Sequence, residues 1–184
     1  MSYTDLQFKF KKIGKNVTIG SNVYFRYPEA VEIGDEVIID DFSYFTTSLN
    51  IGNFVHIGPH CSIIGGVESK LIMADFSGLS AGCRIICGSD DYIRSLTNPN
   101  IPRRFRDGGK VGIVTLSKHA VLGANTVVHP MVHVKEGAAT GSCALVTTDL
   151  DDWSVYIGCP ARKYQTRDKE RILSLEREFM ESRI

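Results

Sequence analysis

An all-β fold, a parallel β-helix whose short strands stack as coils around a narrow interior, is what this sequence predicts, and two periodic observations predict it. The first is an apolar residue at every sixth position. Ile13, Ile19 and Phe25 share one frame, and Ile33, Ile39, Phe45, Ile51, Ile57 and Ile63 share a second. Met73, Leu79 and Ile85 form a third, and Leu116, Leu122, Val128, Val134, Thr140 and Val146 a fourth. Seventeen of these 18 positions are apolar, where a composition roughly 45% apolar would give about eight. The second observation is the bias of the neighbouring positions, with Gly next after many apolar residues and Val, Ser, Cys, Thr or Ala at the fifth place. Period six fits neither a 3.6-residue helix nor a two-residue strand alternation. It fits hexapeptide coils.

The elements follow in order. One large aliphatic residue per hexad fills the interior, and the fifth-position residue must be small to pack beside it. No coil buries its apolar residue without a neighbour above and below, so the chain should form one domain over 1–184, with coils over about 13–158. Small breaks fall at Arg26–Glu29, where Pro28 bars ladder hydrogen bonding, and around Val67–Lys70. The large break runs over about 89–112 and carries Tyr92, Ile93, Ile101 and Phe105, which suggest a loop that packs. From about 167 to 183 the chain turns charged, with Ile172, Leu175 and Phe179 at helical spacing. That predicts a short amphipathic α-helix lying on the prism or on a neighbouring subunit.

Composition excludes several functions. Lys+Arg and Asp+Glu both total 21, which leaves no electrostatic footprint for nucleic acid. The start lacks an apolar signal core and no stretch nears about 18 continuous apolar residues, so a cytoplasmic protein with no membrane contact is expected. The five cysteines include no C-x-x-C pair. Cys61 and Cys83 stand at fifth positions and read as core packing.

Hexads, one long excursion, late hexads and then Gly158-Cys159-Pro160-Ala161-Arg162 before a helix make the chain resemble the hexapeptide-repeat acyltransferases. These are left-handed β-helix enzymes that include galactoside and maltose O-acetyltransferases. The resemblance implies a homotrimer with acyl donor and acceptor meeting between subunits, and acetyl-coenzyme A as co-substrate with no permanently bound cofactor. It places the pantetheine arm along Gly123-Ala124 and Gly141-Ser142, and the diphosphate end near Thr147 and Thr148. Arg162, with Lys163 beside it, would meet a phosphate, a task suited to a guanidinium.

At the catalytic position the chain departs from that group. The O-acetyltransferases carry a histidine just after the coil that precedes the loop. An ungapped alignment of Asp75 through Asp91 puts Asp90 there, and none of the five histidines lies in the loop. A sugar hydroxyl is a very weak acid and needs a base poised near neutrality. An exposed Asp, with a reference pKa of ~3.9, serves that purpose poorly. An amine is the better nucleophile, and its ammonium form can be held by a carboxylate. Phe76-Ser77-Gly78-Leu79-Ser80, Gly88-Ser89-Asp90-Asp91-Tyr92 and Leu96-Thr97-Asn98-Pro99 resemble acyltransferases acting on nucleotide-linked 4-amino-4,6-dideoxyglucose in O-antigen and related surface-glycan pathways. That resemblance implies Asp90 and Ser80 as the acceptor-site residues. Three alternatives stay open at this point: O-acetylation with His56 or His60 as base from a neighbouring subunit, a zinc β-helix of the carbonic anhydrase type, and a non-catalytic scaffold. No metal site is expected.

Overall fold

The structure is a computed structural model and describes residues 8–183. The period of six appears as three faces of stacked, parallel strands. The first face carries Lys12–Ile13, Val31–Ile33, the ends of Tyr44–Ile51 and Ser62–Met73, Ile113–Leu116 and His133–Val134. The second carries Thr18–Ile19, Ile38–Ile39, His56–Ile57, Gly78–Leu79, Val121–Leu122, Ala139–Thr140 and Ser154–Ile157. The third carries Tyr24–Phe25, the starts of Tyr44–Ile51 and Ser62–Met73, Arg84–Ile86, Val127–Val128 and Leu145–Val146.

Register explains the period. Phe45, Ile63, Ile85, Val128 and Val146 lie over one another on the third face, and Ile39, Ile57, Leu79 and Leu122 on the second, all fully buried. Thr140, the polar exception to the beat, is buried but satisfied. Its Oγ1 accepts the Gly123 N–H (3.0 Å) and bonds the Thr126 hydroxyl (2.9 Å). Ile13 is half exposed because it sits on the first described coil. Cys61 and Cys83 are fully buried, as their hexad place predicts, and burial pushes the Cys87 thiol up to about 12.

One corner of the prism turns through left-handed backbone at Glu36, Phe54, Phe76, His119, Gly137 and Trp153. A side chain in that conformation is costly, and the aromatic residues recover the cost by stacking. Ring centroids are 4.8 Å apart for Phe54–Phe76, 5.2 Å for Phe76–His119 and 5.9 Å for His119–Trp153. Gly137, at φ +65°, leaves room for the Trp153 ring, which a Cβ there would strike.

The C-terminal helix, Lys169–Glu181, packs on this corner. It begins two residues later than expected, since Asp168 is the N-cap, accepting the Arg171 N–H at 3.0 Å. Arg167 instead anchors the approach: its guanidinium donates to the carbonyls of His119 (2.8 Å) and Gly137 (2.9 Å). Phe179 meets Phe54 edge-on at 5.5 Å, and Glu176 bonds both Lys118 (2.5 Å) and His119 (2.8 Å). No helix among the described residues is long and apolar enough to cross a membrane.

The breaks fall where the beat fails. Pro28–Ala30 is a 3₁₀ turn, and the strand register slips between Thr46 and Ser48 opposite Gly66–Lys70. The long excursion is closed at its base by an antiparallel ribbon, Gly88–Ser89 against Lys110–Val111. One element was not foreseen. Arg162–Thr166 is a strand that turns back antiparallel onto Ser154–Ile157.

Candidate active site

Two clefts on different edges of the prism hold the residues that the sequence singles out. The first, of about 480 Å³, is lined by Phe54, His56, Gly58, Phe76, Ser80 and Val121 among others. Ser80 follows interior Leu79, as Asp40 follows Ile39 and Gly58 follows Ile57, so these three stack in one outward column. Gly123 and Gly141 continue that column upward, because Leu79 lies under Leu122 and Gly123 N–H bonds the Thr140 carbonyl. A Cβ on Gly123 would come within 2.6 Å of the Gly141 backbone, and one on Gly141 within 2.9 Å of Ile157 Cγ2. Coil stacking alone therefore demands glycine at position 123, where backbone is struck, whereas at position 141 only the movable Ile157 methyl stands in the way. The consequence is a bare track above Ser80, with half-buried Ala124 and exposed Ser142 beside it.

The second cleft, of about 690 Å³, lies at the base of the long loop and is lined by Ser89, Asp90, Asp91, Tyr92, Lys110 and His129 among others. The adjacent aspartates have different jobs. Asp91 Oδ1 accepts the N–H groups of Ile93 (2.9 Å) and Arg94 (3.2 Å), the side-chain-to-backbone turn that starts the loop. The Ile93 N–H foremost, then Arg94, holds the Asp91 carboxyl below the usual carboxylate range. Asp90 is partly exposed, and its nearest cationic neighbour is the Arg106 guanidinium at 3.9 Å. Arg106 itself is steered by donating Nε–H to the Ile101 carbonyl at 2.8 Å.

Thr147 and Thr148 leave the third face above this cleft, since His129 follows Val128 as Thr147 follows Val146 in the paired strand. Both threonines are exposed. The turn at Gly158–Ala161 sits against the same coil, with Leu145 N–H bonding the Gly158 carbonyl (3.0 Å) and Ala161 N–H the Leu145 carbonyl (2.7 Å). Arg162 and Lys163 follow, exposed. The donor candidates thus divide: Gly123, Ala124, Gly141 and Ser142 at Ser80's edge, with Arg162 and Lys163 above them on the strand paired to Ile157 and Tyr156, and Thr147 and Thr148 at Asp90's edge.

Ser80 and Asp90 do not share a cleft within the protomer. His60 has a packing role, stacked on Phe42 at 5.0 Å with its carbonyl accepting from Arg84. His129 lines the Asp90 cleft, a placement not evident from the sequence because it lies in a coil and not in the loop. Ile85, which leads into the loop, pairs in register with Val128. His133 bonds Ser117 and His119 bonds Glu176. Among the described residues no three His, Cys, Asp or Glu side chains converge as a metal site.

No family model matches the chain. The dTDP-4-amino-4,6-dideoxy-D-glucose acyltransferase of Escherichia coli is 32% identical over 192 residues, spanning 100% of this chain and 98% of that protein. This chain belongs to the dTDP-4-amino-4,6-dideoxyglucose acyltransferases. Among solved structures, a variant of AntD, an N-acyltransferase from Bacillus cereus, in complex with dTDP and coenzyme A, matches with a TM-score of 0.89 at 35% identity. That match covers 94% of this chain and 92% of that one. Other AntD structures hold dTDP-4-amino-4,6-dideoxyglucose with coenzyme A, or dTDP with 3-hydroxybutyryl-CoA. A maltose O-acetyltransferase from Clostridium difficile shares the fold, with a TM-score of 0.59 at 15% identity over 87% of this chain and 71% of that one.

Proposed function

We propose that this acyltransferase moves an acyl group from a coenzyme A thioester to the 4-amino group of dTDP-4-amino-4,6-dideoxyglucose, with Asp90 and Ser80 at the acceptor. The observation that carries the reading is the division of the site into two half-sites. Each edge bears one acceptor residue and part of the donor track, so a whole site forms where the Ser80 edge of one protomer meets the Asp90 edge of another. The loop supports that assembly, with Ile93 91% and Tyr92 78% exposed and Leu96 and Phe105 about half exposed. Apolar surface of that kind marks an interaction site, and a homotrimer supplies the cover. Support for the acceptor pair comes from spacing. Ser80 and Asp90 are ten positions apart, as are the serine and the aspartate replaced in the AntD variants.

Asp90 holds the sugar ammonium and Ser80 hydrogen-bonds beside it, while the Gly123–Gly141 track takes the pantetheine arm. Thr147, Thr148, Arg162 and Lys163 take the diphosphate and nucleotide end. Acetyl-coenzyme A is the expected donor, with 3-hydroxybutyryl-coenzyme A the longer acyl group to set against it. The work is placed in the cytoplasm, and the product is an activated sugar ready for transfer into O-antigen or a related surface glycan. The test is an acylation assay with both thioesters, offering the dTDP-4-amino sugar, its 4-hydroxyl counterpart and maltose, and following thiol release and product mass. Amide formation on the amino sugar alone is expected. Comparable acylation of the hydroxyl sugars would replace this reading with O-acyl transfer.

A further inference from the structure

We propose that His56, oriented by Asp40, is the base that takes the proton from the acceptor's ammonium. The inference rests on the N-acyltransferase reading above and adds a catalytic residue and a positioning residue to it. His56 Nε2 lies 2.8 Å from Asp40 Oδ2. A carboxylate can only accept, so Nε2 carries the hydrogen, and in the neutral ring Nδ1 is left as the acceptor. The carboxylate thereby sets the tautomer and stabilises the imidazolium that forms.

Placement puts that ring beside Ser80. His56 and Gly58 flank interior Ile57 and point to the same outward face. Gly58 has no side chain, which leaves a gap in the column between Asp40 below and Ser80 above, and His56 lines the same cleft as Ser80. Stacking enforces this gap, since a Cβ on Gly58 would meet the Ala81 backbone nitrogen at 2.9 Å. Asp40 is the titratable group bonded to His56 among the described residues. Gly78, paired with His56 on the coil above, contributes none. Across the aromatic walls stand Lys118, over Phe76 at 5.7 Å, and Arg183, over Phe54 at 5.0 Å and paired with Glu36.

Acylating an ammonium releases two protons from nitrogen. His56 Nδ1 takes the first, and the freed amine attacks the thioester carbonyl, forming the N–C bond. Collapse of the tetrahedral intermediate breaks the C–S bond, and the coenzyme A thiolate takes the second proton. The imidazolium then returns its proton to water. Asp90 on the facing protomer holds the ammonium until transfer. His129, which shares a cleft with Asp90, has no carboxylate bonded to its ring among the described residues.

The test is the pH profile of kcat/KM for the dTDP-amino sugar in wild type, His56→Gln and Asp40→Asn, with melting temperatures as a check on folding. A positioned base contributes roughly 10²–10⁴-fold, so His56→Gln should lose about 10²-fold and its rise with pH near neutrality. Asp40→Asn, which keeps the ring but weakens its orienting bond, should lower kcat with KM for the amino sugar little changed. Exogenous imidazole should restore part of the rate to His56→Gly. A wild type that acylates the amino sugar, with both variants unchanged in rate and profile, would overturn the role of His56 alone. So would a limb that survives in His56→Gln and disappears in His129→Gln. A wild type that acylates no amino sugar would overturn the underlying reading, and this proposal with it.

Discussion

The two clefts are built on opposite principles. Every wall of the Ser80 cleft is a coil position: Leu79 and Val121 lie on stacked strands, and Phe54 and Phe76 stack ring on ring at the corner. The Asp90 cleft has coil residues Ile86, His129 and Pro130 on one side and loop residues on the other. Buried ladder residues each contribute about 1.5–3 kcal/mol. The loop is held by polar contacts at the surface, such as Arg103 to Glu68 at 3.1 Å, a kind worth about 0–1 kcal/mol. The proposed acceptor charge, Asp90, therefore stands on the more weakly held half, the one that the proposed assembly would complete.

The largest effect should separate the paired aspartates. Asp90→Asn keeps shape and removes charge, and kcat/KM for the amino sugar should fall by about 10²–10⁴-fold. Asp91→Asn weakens the turn without touching substrate, so its loss should be under about tenfold and fall mainly on KM. Steady-state kinetics on both variants decide the matter. Equal losses would mean that loop geometry, not the Asp90 charge, sets the rate.

Next in size is the loop's apolar face. Ile93→Asp places a charge where a neighbour's surface is expected, while the coil core, closed within the chain, is untouched. Sedimentation should show smaller species that have lost most activity yet keep a near-native melting transition of the coils. A trimer that persists would detach the loop from assembly. At the donor end, Arg162→Ala should raise KM for acetyl-coenzyme A by about tenfold with kcat little changed, the scale of one charge-assisted hydrogen bond. An unaltered KM would remove Arg162 from the nucleotide end.

How much of this was legible in the sequence follows from the same contrast. The coils declare themselves because each inward residue repeats one steric demand, and even Thr140 marks a place where two hydroxyls satisfy each other. Alignment singles out Asp90 as a candidate, but the structural difference between it and Asp91 was not legible, since that depends on which carboxylate the Ile93 and Arg94 N–H groups reach. The Asp40–His56 pair lay sixteen residues apart in sequence and one coil apart in space. His129 was hidden similarly, because the large excursion disguises that Ile85 and Val128 are neighbours. The Arg162–Thr166 strand has no period of its own, being a single return along Ser154–Ile157.

The smallest effect concerns the C-terminal helix, which stands outside both clefts. Burial alone would raise the Glu176 carboxyl, but hydrogen bonds from Lys118 and then His119 outweigh it and hold it below the usual range. In the unfolded chain the same group titrates near about 4.3. A carboxyl depressed on folding contributes stability above its unfolded value. That contribution is lost as the pH falls below it, because the unfolded chain takes up the proton first. Glu176→Gln should therefore lower stability by about 1 kcal/mol at pH 7, and the gap from wild type should close as the pH falls through 4. Melting temperatures of the two proteins at pH 7 and pH 4 measure it. A gap of the same size at both values would mean that the helix is seated by Phe179 on the aromatic corner, and that the Lys118–Glu176–His119 cluster only decorates the contact.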